Sequence, residues 1–371
     1  MNVLVVSGIW PPDVGGPASH APELADWLVD RGHRVEVVTT ADAQPAARRY
    51  PVRWISRRMG TVARCAWGSA LVARASANAD VVYSTGLYGR TRMGTLLTGK
   101  PRVLKLTGDP AYERAARFGL TGVALDDFQR ARGARVEGLK ALRDVTLSGA
   151  RRYLCPSSSL AAFAAEWRGV DGDRVEVLPN PVEVPELGNR VELRHRHGLD
   201  GPTLVFAGRL APVKSLDSAI EALRQVDGVS LLIAGDGPER AGLERLAQGL
   251  PVRFLGPQPR ETVLELFAAA DAVLLPSSWE NFPHAVVEGL AVGTPVIATA
   301  VGGVTEIVAD GVNGLLVPRG DARAMAEAIR RFFGDDALRQ RLCGAAAGSV
   351  GDYAPERVYG RIEELLREAG A

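Results

Sequence analysis

The amino-acid sequence predicts an α/β protein with two doubly wound parallel sheets, one in each half of the chain. Short β-branched runs alternate with Ala- and Leu-rich helical stretches throughout, a pattern typical of parallel sheets covered by helices. The length of 371 residues is large for one hydrophobic core and sufficient for two domains. A proline-containing polar stretch at residues 180–202 interrupts the pattern near the middle, which indicates an interdomain connection.

Each half contains six predicted strands. In the first half, a helix from about Ala18 to Arg31 stops at Gly32, and another begins after the serines at 157–159. We expect a first domain at residues 1–182, a second at 183–354, and a last helix at about 355–371 that packs back on the first domain. The predicted strands are Val3–Val6, Val35–Thr40, Asp80–Ser84, Arg102–Gly108, Tyr153–Ser157 and Val175–Asn180, then Thr203–Gly208, Ser230–Gly235, Val252–Gly256, Ala272–Ser277, Pro295–Thr299 and Gly314–Pro318.

Composition narrows the class of protein. The three cysteines are far apart and form no CxxC pair, so the sequence indicates neither a disulfide framework nor a zinc site. No run of about 18 apolar residues is present that could span a membrane. The chain enters its first strand without a basic and apolar leader, so we expect a cytoplasmic protein.

The net charge of +1 is distributed unevenly. Residues 1–185 contain 25 Lys and Arg against 18 Asp and Glu, whereas residues 186–371 contain 19 against 25. One explanation is that charged side chains are distributed unevenly over the protein surface without a functional role. Alternatively, the first half contacts an anionic partner such as the inner face of a membrane, and Ile55–Ala77 forms a basic amphipathic helix there. A helix packed on the sheet with its arginines in water is the other reading of that segment, and we expect no nucleic-acid partner.

The residues that follow the strands are the candidate ligand contacts. In open parallel sheets, ligands bind beyond the carboxyl ends of the strands, and two such domains facing each other make a cleft. Gly15 and Gly16 follow the first strand and allow close backbone approach beside a helix N-terminus that favours an anion, with a plain turn as the alternative. Gly208, Arg209 and Lys214 follow the first strand of the second half. Two cations at a strand exit suit a diphosphate, or are surface residues.

Two further loops carry weaker signals. Residues 235–240, GDGPER, resemble the start of a dinucleotide-binding motif, but Arg240 stands where the third glycine is required, so the sequence argues against NAD. No GxxxxGK[ST] motif is present either. Gln258, in the loop after the third strand of this half, is a candidate nucleobase contact, and a proline-rich turn is the alternative.

The stretch WENFPHAVVE, residues 279–288, places two glutamates around a predicted helix start. Pro283 suits the first turn of a helix, so Glu280 falls in the preceding loop and Glu288 in the second turn. Backbone amides near Phe282 to Ala285 then carry the positive end of the helix dipole. A diphosphate suits that position, with the two carboxylates accepting hydrogen bonds from hydroxyls on either side. A helix-terminal carboxylate plus a surface carboxylate is the alternative.

Taken in order, these motifs resemble family 4 of the retaining glycosyltransferases, which has the GT-B fold. The resemblance rests on GRLAPVK, on the E-x7-E spacing of Glu280 and Glu288, and on the GTPVIAT, GG-x-x-E and NGLLVP segments that follow. In the first half, the double glycine after the first strand, RGHRVEVVTT and VLPNPV agree with it. The resemblance implies two Rossmann-like doubly wound domains facing across a cleft, the first binding the acceptor and the second the donor.

The resemblance also implies a chemistry. It implies transfer of a hexose, with retention, from a nucleotide-diphosphate sugar to an acceptor hydroxyl, without a metal, a bound cofactor or a protein nucleophile; we expect a UDP- or GDP-sugar. Arg209 and Lys214 would hold the departing diphosphate, because charge is best stabilised by preorganised donors. Glu288 would bind the ribose and Glu280 the donor sugar. Further donor-site residues implied are Gly15, Gly16, Gly208, Gln258, Asn281, Phe282, Pro283 and His284.

One position departs from the family pattern. Many members have a histidine at the end of the fourth first-domain strand, where this chain has Asp109 in LKLTGDPAYER. Tyr112 and Glu113 resemble the G-D-x-x-W-E version found in some bacterial branches. Asp109 would contact a sugar hydroxyl or orient the acceptor, and alternatively it caps the helix that begins at Pro110.

Three functions are consistent with the sequence. The first is a glycosyltransferase that acts in surface polysaccharide or glycolipid synthesis, with a lipid-linked acceptor and peripheral membrane contact through the basic first domain, or that glycosylates a small-molecule natural product. The second is a GT-B epimerase that converts the donor alone. The third is a binding protein without turnover, which the presence of all four residues Arg209, Lys214, Glu280 and Glu288 disfavours.

Overall fold

The computed structural model describes residues 1–13, 16–122 and 125–371, with the backbone alone at residues 16 and 17. The described chain divides into two compact units. The first contains Met1–Pro181 and Glu356–Ala371, and the second contains Val182–Pro355. Each unit is built on one entirely parallel sheet, as the alternating sequence pattern predicts.

The first unit has a seven-stranded sheet in the order β3-β2-β1-β4-β5-β6-β7. Its strands are β1 (Asn2–Ser7), β2 (Arg34–Ala41), β3 (Val52–Ser56), β4 (Val81–Thr85), β5 (Arg102–Lys105), β6 (Arg152–Cys155) and β7 (Val175–Val177). Its helices are α1 (Gly16–Asp30), α2 (Thr61–Ser76), α3 (Tyr88–Thr98), α4 (Pro110–Arg117), α5 (Leu125–Arg130), α6 (Ala134–Leu147) and α7 (Ser158–Ala165).

Strand residues alternate between two apolar layers. Val3 and Val5 of β1 face a core that includes Leu24 of α1, whereas Leu4 and Val6 face a second core on the opposite side. Successive side chains of a strand point to opposite faces, so a strand buried on both faces reads as a continuous apolar run. This is why VLVV is recognisable as a strand from the sequence.

The segment Ile55–Ala77 is partly a strand. Ile55 belongs to β3, which pairs with β2 at the edge of the sheet, and the helix begins only at Thr61. The strand β3 was not predicted from the sequence, because its residues, among them the exposed Arg53, lack the apolar continuity of the central strands. The helical remainder, α2, buries Val72 against the sheet and packs against α3.

The second unit has a six-stranded sheet in the order β10-β9-β8-β11-β12-β13. Its strands are β8 (Thr203–Ala207), β9 (Ser230–Ala234), β10 (Val252–Gly256), β11 (Ala272–Leu275), β12 (Val296–Thr299) and β13 (Gly314–Val317). Its helices are α8 (Arg190–His197), α9 (Leu216–Leu223), α10 (Arg240–Leu246), α11 (Arg260–Ala269), α12 (His284–Ala291), α13 (Val304–Ile307), α14 (Ala322–Gly334) and α15 (Asp336–Ala346).

The last helix, α16 (Pro355–Gly370), packs on the sheet of the first unit. Ile362 and Leu366 are fully buried in the core that contains Val3 and Val5. A polar contact adds to this apolar one, since the buried side chain of His33 lies 2.9 Å from Glu363. His33 therefore has a structural contact with the end of the chain.

Candidate functional site

Lys214 and Glu280 meet at the carboxyl edge of the second sheet. Lys214 ends a short 3₁₀ turn after β8, and Glu280 lies in the loop between β11 and α12. The Nζ atom of Lys214 donates to Oε1 of Glu280 at 2.5 Å, and the buried hydroxyl of Ser277 donates to the same oxygen at 2.6 Å. Among the described residues, Oε2 of Glu280 receives no hydrogen bond. The carboxylate is thus held from one side, and its second oxygen is available to a hydroxyl group.

The double glycine after β12 supports the backbone of Glu280. Gly303 donates its N–H to the carbonyl of Glu280 at 3.0 Å, and a Cβ atom at Gly302 would lie 2.1 Å from that same oxygen. Gly302 has a φ of +44°, in the left-handed region that favours glycine. The two loops therefore fit together only because no side chain stands at Gly302. This explains the GG-x-x-E segment as a support for the loop that carries Glu280.

A second pair of glycines packs the loop after β8 against the loop after β9. A Cβ atom at Gly235 would lie 1.9 Å from the carbonyl oxygen of Gly208, and one at Gly237 would lie 2.2 Å from that of Leu210. Leu210 also donates its N–H to the carbonyl of Asp236 at 2.9 Å. GDGPER therefore serves close backbone packing beside the predicted site, which agrees with the argument against a dinucleotide motif.

Arg209 follows Gly208 and is exposed. Within the described ranges it makes no ion pair or hydrogen bond, in contrast to Lys214. Gly208 has a φ of +155°, and the side chain of Lys214 passes over it, with Cε 4.0 Å from the position of a Cβ atom at Gly208. A guanidinium and an ammonium group thus flank one glycine at a strand end, as expected of cations that bind a phosphate group.

Helix α12 begins at His284, with Pro283 as its N-cap residue. The prediction of a helix start near Pro283, with Glu288 in the second turn, is confirmed. The ring of Phe282 packs edge-on against that of His284 at 5.2 Å and against Tyr353 at 5.7 Å between centroids. These ring contacts hold the turn that includes Asn281 and precedes the helix. The N-terminus of α12 therefore lies directly after the Glu280 loop.

Glu288 and Gln258 have partners that the sequence analysis did not foresee. Nε of Arg260 donates to Oε1 of Glu288 at 2.9 Å, and the Glu288 side chain is 14% exposed. Nε2 of Gln258 donates to the carbonyl of Leu255 at 2.7 Å, so this amide stabilises its own turn. To bind a ribose as predicted, the Glu288 carboxylate must either accept a ribose hydroxyl while it keeps the hydrogen bond from Arg260, or break that hydrogen bond. Because the amide nitrogen of Gln258 is used in this turn, the predicted nucleobase contact would have to be made by its amide oxygen or by its backbone.

Asp109 is the N-cap of α4 and is 1% exposed. Its Oδ1 accepts the N–H groups of Ala111 at 2.8 Å and Tyr112 at 3.4 Å. Its Oδ2 accepts Gln129 at 2.9 Å and the buried guanidinium of Arg143 at 3.0 Å. Four donors occupy the carboxylate, so the helix-cap alternative describes its place in the fold. Direct contact with a substrate stays a prediction.

The double glycine after β1 is only partly described. Gly16 is the first residue of α1, two positions before the predicted helix start at about Ala18, and Gly15 lies outside the described residues.

Two residues of the site were missed from the sequence. Ser277 is fully buried, and its position directly after the apolar run that precedes Glu280 was the available signal in the sequence. Arg260 begins α11, 28 positions before its partner Glu288, and no local signal connects the two.

A cavity of about 690 Å³ lies elsewhere in the second unit. Its lining includes Asp271, Thr294 and Pro295, which directly precede β11 and β12. It is therefore at the amino ends of these strands, on the edge of the sheet away from Lys214 and Glu280. Ligands of open parallel sheets bind at the opposite edge, so this cavity is distinct from the candidate site.

Two curated relatives of this chain are named as glycosyltransferases. A D-inositol 3-phosphate glycosyltransferase of Frankia alni is 36% identical over 237 residues, covering 56% of this chain and 57% of the relative. The alpha-D-kanosaminyltransferase of Streptomyces kanamyceticus is 32% identical over 191 residues, covering 49% and 50%. The chain thus spans about half the length of these relatives.

The fold and the family models agree with this. The structure of HepE from Anabaena, solved in complex with UDP and glucose, matches with a TM-score of 0.80 and 20% identity over 99% of this chain and 100% of that one. This likeness confirms the predicted GT-B class of fold. The model named Glycosyltransferase Family 4 matches residues 14–185, and the model named Glycosyl transferases group 1 matches residues 190–347. The chain therefore belongs to glycosyltransferase family 4.

Proposed function

We propose that this glycosyltransferase transfers a hexose, with retention of configuration, from a nucleotide-diphosphate sugar to an acceptor hydroxyl. The observation that carries the proposal is the Lys214–Glu280 pair at 2.5 Å, beside the exposed Arg209 and ahead of the N-terminus of α12. Two cations and a helix N-terminus suit a diphosphate, and a half-free buried carboxylate suits a sugar hydroxyl. Family membership supports a sugar as the transferred group.

The charge that develops on the leaving diphosphate is the chemical problem of such a transfer. Arg209 and Lys214 stabilise that charge where it forms, because both follow the strand end, and Lys214 is held there by Glu280 before the reaction begins. Oε2 of Glu280 accepts a hydroxyl of the donor sugar and Glu288 accepts the ribose. Among the residues that the structure describes, no carboxylate pair is arranged as acid and base at the Lys214–Glu280 site, where both hydrogen bonds to Glu280 hold it in place. The departing phosphate oxygen takes the acceptor proton, and the site requires no metal.

A donor screen tests this proposal. Thermal unfolding is measured with UDP-, GDP-, dTDP- and ADP-sugars, because a ligand bound by the native state raises the midpoint by mass action. We expect a UDP- or GDP-sugar to raise it, in line with a neighbour solved with UDP and glucose. Release of nucleoside diphosphate then depends on an added acceptor, and the anomeric configuration of the product is read by NMR. Sugar conversion without any acceptor favours an epimerase, and donor binding without product favours a binding protein.

We further propose that the acceptor is lipid-linked and that the protein contacts an anionic membrane through the outer surface of α2 and α3. Large apolar side chains are exposed there, and a monomer exposes few such groups together without a partner. The helices contain no acidic residue, and only Asp80 is acidic between residues 43 and 108, against 12 Lys and Arg. The exposed residues are Val62 at 84%, Trp67 at 55%, Met93 at 60%, Leu96 at 62% and Leu97 at 80%.

The outer surface of α2 and α3 combines the two features that bind anionic bilayers. Apolar side chains enter the interface, and arginines attract the headgroups. Small residues bring the two helices together, since a Cβ at Gly94 would lie 2.7 Å from the side chain of Val72. In the described residues, no helix is long and apolar enough to cross a bilayer.

Vesicle co-sedimentation tests the membrane contact. Wild-type protein binds phosphatidylglycerol vesicles at low salt and phosphatidylcholine vesicles weakly. The double variant Leu96→Ser, Leu97→Ser loses this binding, whereas Val191→Ser, an exposed apolar position of α8 in the second unit, retains it. Indifference of the wild type to anionic vesicles contradicts the membrane contact and leaves a soluble acceptor, such as a small-molecule natural product. If the wild type instead self-associates in a concentration-dependent way and the double variant does not, this surface binds a second copy of the chain rather than a membrane.

A further inference from the structure

At the carboxyl edge of the first sheet, the direction of the chain connections reverses between β1 and β4. Helix α1, which follows β1, packs on one face, whereas α3, which follows β4, packs with α2 on the other. Such a switch point opens a crevice between neighbouring strands. The loops after β1 and β4 touch there, because a Cβ at Gly86 would lie 2.7 Å from the backbone nitrogen of Gly8. These two loops therefore pack backbone against backbone at this edge.

Glu113 projects over the end of β5. It occupies the first turn of α4, and a Cβ atom at Gly108 would lie 2.7 Å from its Oε1. The carboxylate therefore lies over the Gly108 backbone, close to the loop that joins β5 to α4. Glu113 is solvent-exposed, and within the described ranges it makes no hydrogen bond or ion pair. Asp109, four residues earlier, has all its capacity used by the helix cap and Arg143.

The surroundings of Glu113 make its ionised carboxylate less stable than it would be in water, which favours a ligand that donates a hydrogen bond to it. Although solvent reaches the side chain, partial loss of hydration raises its pKa above the ordinary value, and the negative charge of Asp109 raises it further. Arg117 and Arg114 oppose this rise without forming an ion pair. Tyr88 of α3 faces the same carboxylate, but its hydroxyl donates to the carbonyl of Lys105 at 2.6 Å. The carboxylate thus has charged and aromatic neighbours but no hydrogen-bond partner among the described residues.

We infer that Glu113 is an acceptor-binding residue, whose carboxylate accepts a hydrogen bond from a hydroxyl group of a neutral, polyhydroxylated acceptor. This inference rests on the proposed transfer from a nucleotide-diphosphate sugar. It follows from two placements at the carboxyl edge of the first sheet: an unpaired carboxylate over Gly108, and the close backbone packing of the loops after β1 and β4 at Gly8 and Gly86. Asp109 acts as a positioning residue that holds the first turn of α4, and Glu113 makes the contact.

Two different substitutions disturb this contact. Glu113→Gln keeps the size of the side chain and removes its charge. Gly108→Ala leaves Glu113 in place but puts a methyl group where its carboxylate lies, and the heavy atoms within 4 Å of that methyl position all belong to Glu113. Because only a flexible side chain has to move, Gly108→Ala keeps the fold. The matched controls are Glu166→Gln, an exposed glutamate after α7, and Gly138→Ala, a helical glycine with open space around its Cβ position.

The assay uses UDP-glucose and GDP-mannose as donors, with octyl β-D-glucopyranoside and myo-inositol as acceptors. In both Glu113→Gln and Gly108→Ala, kcat/KM for the acceptor falls about 10- to 100-fold, the effect of losing one hydrogen bond to a charged group. In these two variants, the KM for the donor and the rate of acceptor-independent donor hydrolysis stay within about twofold of the wild-type values. In the two control variants, these two quantities and the acceptor kcat/KM all stay within about twofold of the wild-type values. In the wild type, the acceptor KM rises as pH falls through the pKa of Glu113, and Glu113→Gln removes this dependence.

The outcomes separate this inference from the function on which it rests. Wild-type acceptor kinetics in Glu113→Gln overturn the assignment of Glu113. A fall in donor affinity equal to the fall in acceptor kcat/KM overturns it too, because Glu113 would then act on the donor. A wild-type protein that binds none of the nucleotide sugars in the thermal screen contradicts the proposed transfer itself, whatever Glu113 does.

Discussion

The Nζ atom of Lys214 lies 2.5 Å from Oε1 of Glu280, 66 positions further along the chain. This contact joins the turn after β8 to the loop after β11 and couples the two predicted roles, diphosphate binding and sugar binding. The Glu280 carboxylate is 10% exposed, so its orientation depends on the ammonium group and on Ser277. A charge pair of this kind orients a substrate only while both members are present.

Lys214→Met is therefore expected to reduce kcat/KM for the donor about 10²- to 10³-fold, the scale of losing one preorganised electrostatic donor. It also lowers the thermal midpoint, because Glu280 is left as a buried carboxylate without its cation. Release of nucleoside diphosphate and thermal unfolding measure the two effects. Lys100→Met, at the surface after α3, is the control and changes neither. The double variant with Glu280→Gln is less impaired than the two single effects combined, because the residues act as a pair; additive effects would contradict the coupling.

Gly302→Ala is expected to disturb the site without touching a polar side chain. The new Cβ would lie 2.1 Å from the Glu280 carbonyl, at a φ of +44°. Gly320→Ala is the matched control, with a φ of +73° and open space around its Cβ position. The control loses about 1 kcal/mol of stability from the left-handed backbone, whereas Gly302→Ala loses about 1–3 kcal/mol more through overpacking, together with most activity. Urea unfolding and initial rates test this, and equal losses in the two variants would refute the steric argument.

Asp109→Ala is expected to destabilise the first unit by about 3–5 kcal/mol, because it leaves the buried Arg143 guanidinium without its partner. Asp109→Asn costs less, since asparagine is also a favourable N-cap residue. Asp126→Ala, at an exposed position of α5, is the control and leaves stability unchanged. Chemical denaturation gives the three values. If Asp109→Asn abolished transfer at unchanged stability and unchanged acceptor binding, the residue would have the catalytic role that its four hydrogen bonds argue against.

Lys105 makes the stability of the protein depend on pH. It is completely buried, and burial lowers its pKa from 10.5 to about 7. Between pH 7 and 8.5 the unfolded chain therefore binds a proton that the folded chain has released, so stability rises with pH, by up to about 1.4 kcal/mol per unit. Below pH 7 both states are increasingly protonated and the gain fades. Above pH 9 the buried thiol of Cys155, with its pKa raised to about 12, contributes in the opposite direction.

Urea unfolding at pH 6.5, 7.5 and 8.5 measures this dependence in the wild type and in Lys105→Met. The difference between the two proteins increases in favour of the wild type as pH rises. Nζ of Lys105 donates to the carbonyls of Leu178 and Pro179, so the variant also loses a constant, pH-independent contribution. A pH-independent difference over this range would show that Lys105 stays charged in the folded protein.

Much of the fold was predictable because its signals are local. A central strand buried on both faces is a continuous apolar run, and all six strands predicted in the second half are present within two residues at each end. The cap at Ser157 and the helix at Pro355–Gly370 also follow from short-range rules. The edge strand β3 was missed because only one of its residues, Ile55, is fully buried. An edge strand faces solvent, so packing imposes little pattern on its sequence.

The sequence by itself determined the parallel sheets, the glycines at strand ends and the spacing that puts Glu280 before α12 and Glu288 within it. These features depend on neighbours a few residues apart. Only the tertiary structure decided how each polar side chain is used: Asp109 binds Arg143, Glu288 binds Arg260, Gln258 closes its own turn, and Glu113 is left without a partner. A carboxylate in a sequence has the same hydrogen-bonding capacity everywhere. Which donors fill that capacity depends on segments tens of residues away, brought together by the packing of the sheet and its helices.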